Sequence, residues 1–373
     1  MTAYEKIFAA NVRKLRKRAA MTQKMLADAV GYSEKTVSKW ETDGCIPPVE
    51  TLFRIAGVFR TDLNTLFAGD DAVCFLGIDG GGTKTAFALA DHEGNVLRRL
   101  RLDPCNPFDV GIERAKAVLE DGIRQICAGM PLSSVAVFAG LAGCKSGEFA
   151  DGIDAFLQQF GFAMAALDSD NENIIAAGLA GRDGITVILG TGICSFAVQG
   201  MRHDRIAGWG YLFDEGGSAY NIGRDALSQY YSACDGSGET SGLTRRIREV
   251  TGCPETELLS RLYEGGKKRI ASYATLVFEE AEKGDAAACA ILRRNMGEAA
   301  RIIRAALARF PETARDIPVV LAGGMTEQPL LLSYLREALG EECRGRLELL
   351  RVPPVDGALM KARTLWQEEY RHE

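Results

Sequence analysis

Three glycine-rich turns in this sequence have the residue types needed to bind phosphate. They are Asp79-Gly80-Gly81-Gly82-Thr83-Lys84-Thr85, Gly190-Thr191-Gly192 and Ala322-Gly323-Gly324. Backbone NH groups in such turns point toward one position and can bind phosphate oxygens without side-chain charge. One glycine run alone usually marks a tight turn. Three runs, each placed directly after an apolar stretch, favour a nucleotide site.

The turns belong to a pattern of strands and helices that occurs twice along the chain. Strands are predicted at 74–78, 85–90, 96–102, 135–139 and 163–167, with helices at 111–127 and 148–160. Strands are predicted again at 185–189, 194–198, 319–322 and 347–352, with long helices at 219–233, 269–283, 286–309 and 356–370. We therefore expect two related α/β lobes, residues 74–184 and 185–373, that face each other across a cleft. The last helix is expected to pack back on the first lobe.

The first 68 residues show helical patterns alone. Helices are predicted at 4–18, 23–30 and 34–40, from Pro48 to about residue 59, and from Asp62 to residue 67. Thr22 and Ser33 can cap the second and third helices, and Gly31 can end the second one. Two short helices joined by a glycine turn have the spacing of a helix-turn-helix. A short linker is expected at residues 69–73.

Charge is distributed unevenly between these parts. Residues 1–66 contain 11 Lys or Arg and 7 Asp or Glu, a balance of +4, and the whole chain carries −6, so the remainder carries −10. A basic head on an acidic body indicates that the head alone meets a polyanion. Charge by itself would favour a solvated helix face.

Composition narrows the classes of protein further. Apolar runs such as 135–142 are shorter than the roughly 18 residues of a membrane span, and the N-terminus has no signal-peptide pattern. We therefore expect a cytoplasmic protein. The 10 cysteines form no Cys-x-x-Cys pair and only 3 histidines are present, so buried thiols are a better interpretation than a zinc site.

The N-terminal segment resembles the Cro/lambda-repressor type of helix-turn-helix, also called the XRE family. The positions that carry the resemblance are Leu15-Arg16, Thr22-Gln23, Leu26-Ala27, Val30-Gly31, Ser33, Thr36 to Glu41, and Pro48. The resemblance implies that the third helix enters the major groove of double-stranded operator DNA. Because such heads usually act in pairs, it also implies a homodimer.

The same resemblance assigns roles to individual residues of the head. Glu34, Lys35 and Lys39 are expected to project toward base edges. Ser33 and Thr36 are expected to touch bases or phosphates, and Gln23 to bind a phosphate. Val37 and Trp40 should lie in the small core instead.

The three glycine turns, in this order, resemble those of the superfamily of sugar kinases, heat-shock chaperone ATPases and actin. The closer resemblance is to the N-acetylglucosamine kinase branch of the BadF/BadG ATPase-like family. It is carried by residues 77–85, Asn106, 169–170, 188–192, 208–211, 214–216, 218–220, 320–324, Pro354 and 357–358. It implies an actin-like, two-lobe ATPase fold built from duplicated ribonuclease H-like halves, with ATP and Mg²⁺ as partners.

The resemblance also implies which residues bind the nucleotide. The nucleotide and phosphate contacts would come from Asp79, Gly81, Gly82, Thr83, Lys84, Thr85, Gly190, Thr191, Gly192, Gly323 and Gly324. Asp79 would act on Mg²⁺ through water. Lys84 would either neutralise phosphate charge or face solvent.

Catalysis and sugar binding are assigned in the same way. Asp170 is implied to be the base that accepts the proton of the sugar hydroxyl, although Asp168 is close by and an aspartate there also suits a helix cap. Asn106, Trp209 and Asp214 would bind the sugar, although Trp209 fits a core position equally well.

Two functions remain open on the sequence. The chain is expected to be a transcriptional regulator whose body phosphorylates an amino sugar of the N-acetylglucosamine type. Alternatively, the body senses sugar or nucleotide without turnover. Activators of radical dehydratases belong to the same wider family, but the cysteine segments expected for their iron–sulfur cluster are absent. Phe213 stands where the family commonly has glycine, Gly216-Gly217 carries an extra glycine, and Ile193-Cys194 replace more polar residues. The sugar's identity is therefore open among amino sugars and related hexoses: N-acetylglucosamine, N-acetylmuramic acid, glucosamine and glucose.

Overall fold

The computed structural model describes residues 2–59, 61–67, 73–144, 148–311, 316–340, 343 and 345–371. The chain forms two compact units, residues 1–177 together with 352–373, and residues 178–351. The lobe boundary placed from the sequence between residues 184 and 185 lies slightly later in the chain. The expected linker, 69–73, lies outside the described residues except for Val73.

Five helices form the N-terminal head. They are α1 (Ala3–Arg18), α2 (Gln23–Val30), α3 (Glu34–Thr42), α4 (Val49–Val58) and α5 (Leu63–Phe67). The predicted caps are confirmed: the Thr22 hydroxyl accepts the Met25 amide at 3.1 Å, and Gly31 takes a left-handed conformation with φ 79°. The head has an apolar core of its own, with Phe8, Leu26 and Ile55 among its fully buried side chains.

The first unit then forms a five-stranded sheet. Its strands are β1 (Cys74–Gly80), β2 (Thr85–Ala90), β3 (Val96–Leu102), β4 (Val135–Leu141) and β5 (Met164–Asp168), in the order β3-β2-β1-β4-β5. Its helices before residue 180 are α6 (Pro107–Val110), α7 (Ile112–Ile126), α8 (Glu148–Gln158) and α9 (Asp170–Leu179). Strands β1, β2 and β3 are antiparallel neighbours, whereas β4 and β5 run parallel to β1.

The second unit repeats this arrangement. Its strands are β6 (Gly184–Leu189), β7 (Ile193–Gln199), β8 (Arg202–Ala207), β9 (Val319–Ala322) and β10 (Leu347–Leu349), in the order β10-β9-β6-β7-β8. Its helices are α10 (Ala219–Cys234), α11 (Gly242–Thr251), α12 (Glu255–Ser272), α13 (Ala274–Glu282), α14 (Ala286–Leu307) and α15 (Pro329–Leu339). Because both sheets place an antiparallel hairpin beside parallel strands, the predicted duplication of an α/β half is confirmed.

Several elements differ from the prediction. Strand β8 and helices α11 and α15 were not predicted, and the single helix expected at 269–283 is divided into the end of α12 and the whole of α13, on either side of Tyr273. Gly266 adds a kink inside α12, with φ 54° and ψ −151°.

The last helix, α16 (Pro354–Arg371), packs on the sheet of the first unit. Val355, Leu359 and Trp366 share a buried cluster with Phe75 and Phe138 of the strands. The approach is close: a Cβ on Gly77 would lie 2.6 Å from the Leu359 amide nitrogen. Among the helices of the described residues, none is long and apolar enough to cross a membrane.

Candidate functional sites

The first glycine turn joins β1 to β2. Gly81 donates its amide to the carbonyl of Lys84 at 3.0 Å, which closes the turn. Thr83 and Lys84 are exposed at its tip, whereas Thr85 is fully buried and donates its hydroxyl to the Asp103 carbonyl at 2.7 Å. Two hydrogen bonds therefore fix the turn: the Gly81 amide closes it, and the Thr85 hydroxyl anchors its second end to Asp103.

Asp79 lies near the end of β1, directly before this turn. Its carboxylate is half-buried and accepts the side-chain amide of Asn173 at 2.7 Å. Burial raises the pKa of Asp79, while the Asn173 hydrogen bond and the charge of Lys84 lower it. An oxygen donor held in this way beside a phosphate-type turn suits a hard cation such as Mg²⁺.

Asp170 is the first residue of α9 and is half-buried. Burial, reinforced by the negative charge of Asp79, raises the pKa of Asp170 to about 6. Asp168 ends β5 instead, and its main-chain carbonyl accepts the Cys144 thiol at 3.0 Å. The structure therefore brings Asp79 and Asp170 into one electrostatic environment.

The second glycine turn joins β6 to β7. Gly190 donates its amide to the Gly192 carbonyl at 3.0 Å. The amides of Ala219 and Tyr220, at the start of α10, donate to the carbonyls of Gly190 and Thr191 at 2.9 and 3.2 Å. The start of α10 thus fixes the turn, and the Thr191 side chain remains exposed.

The third glycine pair follows β9, which lies beside β6 in the sheet. Gly323 has φ 100°, and a Cβ there would lie 2.4 Å from the Leu189 carbonyl oxygen. Because only glycine fits such a conformation and approach, Gly323 lets the chain pass directly against the end of β6. A Cβ on Gly324 would meet nothing within 4 Å.

The predicted sugar-binding residues lie in different units. Asn106, in the first unit, caps α6 by accepting the Phe108 amide at 3.1 Å. In the second unit, the Asp214 carboxylate accepts the amides of residues 208, 209 and 210 at 3.3, 3.2 and 2.9 Å. Asp214 therefore shapes the loop that carries Trp209. Trp209 is 65% exposed, so the core interpretation of this side chain is wrong.

In the head, the predicted division of α3 into a buried and an exposed face is confirmed. Val37 and Trp40 are 0% and 3% exposed. The side chains expected at the DNA surface, Ser33, Glu34, Lys35 and Lys39, are exposed, and Thr36 is half-buried. Ser33 caps α3 by accepting the Thr36 amide at 3.2 Å.

Gln23 has a different environment from the one expected for a phosphate ligand. Its side-chain amide donates to Glu41 at 2.9 Å. Glu41 is 7% exposed and also receives the Arg16 guanidinium at 2.6 and 2.9 Å. Gln23 thus takes part in an internal network that ties α1, α2 and α3 together.

The sequence motifs did not indicate that Asn173 belongs to this site. This side chain is fully buried and joins Asp79 to the carbonyl of Gly140, with a distance of 3.0 Å to the latter. Its position one helical turn after Asp170 is the signal that could have pointed to it.

Comparison with known proteins agrees with both parts of this architecture. Residues 12–66 match the helix-turn-helix family model. An N-acetylmuramic acid/N-acetylglucosamine kinase of Clostridium acetobutylicum is 29% identical over 259 residues, which are 67% of this chain and 84% of that protein.

Solved structures resemble the chain as well. A candidate N-acetylglucosamine kinase from Chromobacterium violaceum has a TM-score of 0.66 and 28% identity, over 78% of this chain and 99% of that one. A ROK family transcriptional regulator, homologous to the E. coli MLC protein, has a TM-score of 0.52 and 14% identity over 97% of both chains, and so shares the fold. The model of the BadF/BadG/BcrA/BcrD ATPase family matches residues 76–359, and the chain therefore belongs to that family.

Proposed function

We propose that this chain is a DNA-binding transcriptional regulator whose body transfers a phosphoryl group from ATP to an amino sugar, with Asp170 as the base. The half-buried position of Asp170 at the start of α9 is the observation that carries the catalytic part of the proposal. A half-buried carboxyl group with a pKa of about 6, next to a second carboxylate, is well matched to accept a hydroxyl proton near neutral pH.

Phosphoryl transfer also needs a held nucleotide and a metal ion. Residues 82–84 and 191–192 of the first two turns would bind the phosphates of ATP, and the Gly323-Gly324 pair would admit the adenosine. The Asp79 carboxylate, an oxygen donor held by the Asn173 amide, fits Mg²⁺, which it would hold through water. Bound there, Mg²⁺ would neutralise charge on the transferred phosphoryl group.

The relatives support an amino sugar as the substrate. The Clostridium acetobutylicum protein is a kinase of N-acetylmuramic acid and N-acetylglucosamine, which supports an amino sugar here. Asn106 and the exposed Trp209 would contact the sugar, and Asp214 would hold the loop that carries Trp209 in shape.

The head would bind double-stranded operator DNA through the exposed face of α3. A homodimer would place two such heads on half-sites about one helical turn apart. Light scattering after size exclusion measures the mass, and a monomer in both the free and the DNA-bound state would contradict this part of the proposal.

The kinase activity is tested by ADP release from ATP–Mg²⁺ with a panel of amino sugars. We expect turnover with at least one N-acetylated hexosamine, and a loss of at least 1,000-fold in kcat for Asp170→Asn with sugar binding retained, roughly the upper range for a general base. A fully active Asp170→Asn variant would reject the assignment. Sugar or nucleotide binding without ADP release would identify the body as a sensor.

A further inference from the structure

Asn173 occupies a place that neither the sequence motifs nor the proposed roles account for. It is a fully buried amide on α9. Its nitrogen donates to the Asp79 carboxylate at 2.7 Å and to the Gly140 carbonyl at 3.0 Å, with a longer contact of 3.5 Å to the Ile78 carbonyl. A carboxylate and a main-chain carbonyl have no proton to donate, so the NH₂ group of the amide, and not its oxygen, must face them.

The two acceptors are neighbours in the sheet. Asp79 and Gly140 are register partners at the carboxyl ends of the parallel strands β1 and β4. Asn173 therefore links the carboxyl ends of β1 and β4 through hydrogen bonds. In α/β proteins, ligands bind at this edge of the sheet. Because Asn173 lies three residues after Asp170, the same face of α9 carries the proposed base and the group that holds Asp79.

Two glycines lie close to Asn173. A Cβ on Gly140 would lie 2.0 Å from the Asn173 side-chain oxygen. A Cβ on Gly357 of α16 would lie 1.8 Å from the Asn173 carbonyl oxygen. Gly140 therefore leaves room for the side-chain amide, whereas Gly357 leaves room for the main chain of α9 at Asn173.

The amide also has an unfavourable feature. Among the described residues, its side-chain oxygen is buried without a hydrogen-bond partner. A buried acceptor left in this state costs free energy, so such a group in a native structure calls for an explanation. The explanation is that the Asn173 nitrogen donates its hydrogen bonds to the ends of β1 and β4, which turns the side-chain oxygen away from them.

We propose that Asn173 is a positioning residue, which fixes the Asp79 carboxylate relative to Asp170 so that Asp79 can hold the magnesium ion of ATP–Mg²⁺. The inference rests on the proposed function, in which Asp79 acts on the metal. Groups that orient metal-binding carboxylates typically change metal affinity or activity by 10- to 100-fold when they are lost, roughly the range expected here.

The test compares ADP affinity with and without Mg²⁺, by calorimetry on the full-length chain. In the parent, Mg²⁺ should tighten ADP binding. In Asn173→Ala we expect this gain to fall about 10-fold, with metal-free ADP affinity unchanged, and kcat to fall about 10- to 100-fold. Gly140→Ala should act in the same direction, because its new methyl group displaces the amide without removing it.

Asn295 offers a matched control. It is also fully buried, and its side-chain amide donates to a carboxylate, Asp225, at 2.9 Å and to a carbonyl, Ile291, at 3.0 Å. Asn295→Ala should lower stability but keep the gain in ADP affinity from Mg²⁺. If Asn173→Ala does not fold, Asn173→Ser is used for the same comparison of ADP affinity with and without Mg²⁺. The serine side chain is polar but shorter than that of asparagine, so its hydroxyl should not reach Asp79.

Each outcome supports or contradicts the inference. An Asn173 variant that keeps the full Mg²⁺ gain overturns it, and so does one that loses metal-free and Mg²⁺-dependent affinity equally, which would mark a merely structural role. A parent whose ADP affinity does not respond to Mg²⁺ contradicts the proposed function as well. A parent that responds without turning over contradicts the kinase proposal alone.

Discussion

The ammonium nitrogen of Lys14 lies 4.4 Å from the centre of the Trp366 ring. Lys14 belongs to α1 of the head, and Trp366 is a buried residue of α16, which packs on β1 and β4. This contact joins the head to the helix that also passes over Gly77, two residues before Asp79. Within the first unit, α16 thus contacts both the head and the strand that carries Asp79.

The Lys14–Trp366 pair should be energetically coupled. A cation over an aromatic face contributes about 0.5–2 kcal/mol, depending on how far it is desolvated. We expect Lys14→Ala, Trp366→Leu and the double variant to give a coupling energy of about 1 kcal/mol, measured by hydrogen exchange of α1 and α16. Lys6, exposed on the same helix, serves as the control, and its Lys6→Ala variant should not couple to Trp366.

The pH dependence of turnover should report the raised pKa of Asp170. The base acts as a carboxylate, so activity is present above its pKa and is lost as the pH falls through it. Because burial and Asp79 raise this pKa to about 6, kcat/KM should halve near pH 6. An ordinary aspartate would give this limb near pH 4, roughly its unperturbed pKa.

The measurement is an ADP-release profile over the acidic and neutral range, with stability checked at each pH. The apparent value belongs to the Asp79–Asp170 pair, since the two carboxyl groups interact. If kcat/KM instead halves close to pH 4, roughly the unperturbed pKa of aspartate, the Asp79–Asp170 pair is exposed to solvent during turnover.

Gly323 and Gly324 should respond differently to the same substitution. Gly323→Ala forces a side chain onto a backbone with φ 100° and places its Cβ against the Leu189 carbonyl. We expect a loss of about 2–3 kcal/mol in unfolding free energy. Gly324→Ala adds a methyl group in open space and should change stability by less than about 1 kcal/mol.

Hydrogen exchange in β6 and β9 measures both effects, because these strands meet at the site. Equal stability of the two variants would contradict the need for glycine at position 323. Loss of ATP binding in Gly324→Ala without loss of stability would indicate direct contact between this residue and the nucleotide.

Local chemistry in the sequence predicted much of the fold. Thr22, Gly31 and Ser33 marked helix ends correctly because caps and left-handed glycines depend on neighbouring backbone groups alone. Strand β8 was missed because Arg202–Ala207 is largely polar, as expected of a sheet edge that need not be buried on both faces. The head and the duplicated sheet could therefore be recognised, but an exposed strand could not.

The site was predictable to the extent that its residues occur in motifs. Asp79 and Asp170 each come after a predicted strand, 74–78 and 163–167, so a sequence pattern can indicate them. The hydrogen bonds of Gln23 to Glu41 and of Asn173 to Asp79 join residues 18 and 94 positions apart. Such pairings depend on tertiary packing, so spacing along the chain did not reveal them.

The Arg16–Glu41 pair should contribute strongly to the stability of the head. Both side chains are largely buried, at 12% and 1% exposed, and Glu41 is the shared acceptor of Arg16 and Gln23. Arg16→Ala leaves a carboxylate buried without its cation, which should cost about 3 kcal/mol. The exposed pair Glu50–Arg54 is the control, and Arg54→Ala should cost less than about 1 kcal/mol.

Exchange rates of α1 to α3 amides in the full-length chain provide the measurement. If Arg16→Ala and Arg54→Ala lower the protection of these amides from exchange equally, the buried Arg16–Glu41 pair stabilises the head no more than a surface ion pair does.

DNA affinity should depend on the exposed lysines of α3. Lys35 and Lys39 are exposed, whereas Val37 and Trp40 of the same helix are buried, so α3 presents its basic face to solvent. Lys35→Ala combined with Lys39→Ala should weaken binding at least 10-fold at about 0.15 M salt and reduce the salt dependence, because about two ionic contacts are lost.

Fluorescence anisotropy measures this on a duplex that the parent has selected from a random-sequence pool. Lys267→Ala combined with Lys268→Ala removes two exposed lysines from the body and should leave the affinity unchanged. If the α3 double variant binds as tightly as the parent across the salt series, α3 does not enter the major groove. Unchanged affinity but relaxed sequence preference would mean that the lysines read bases without adding net binding energy.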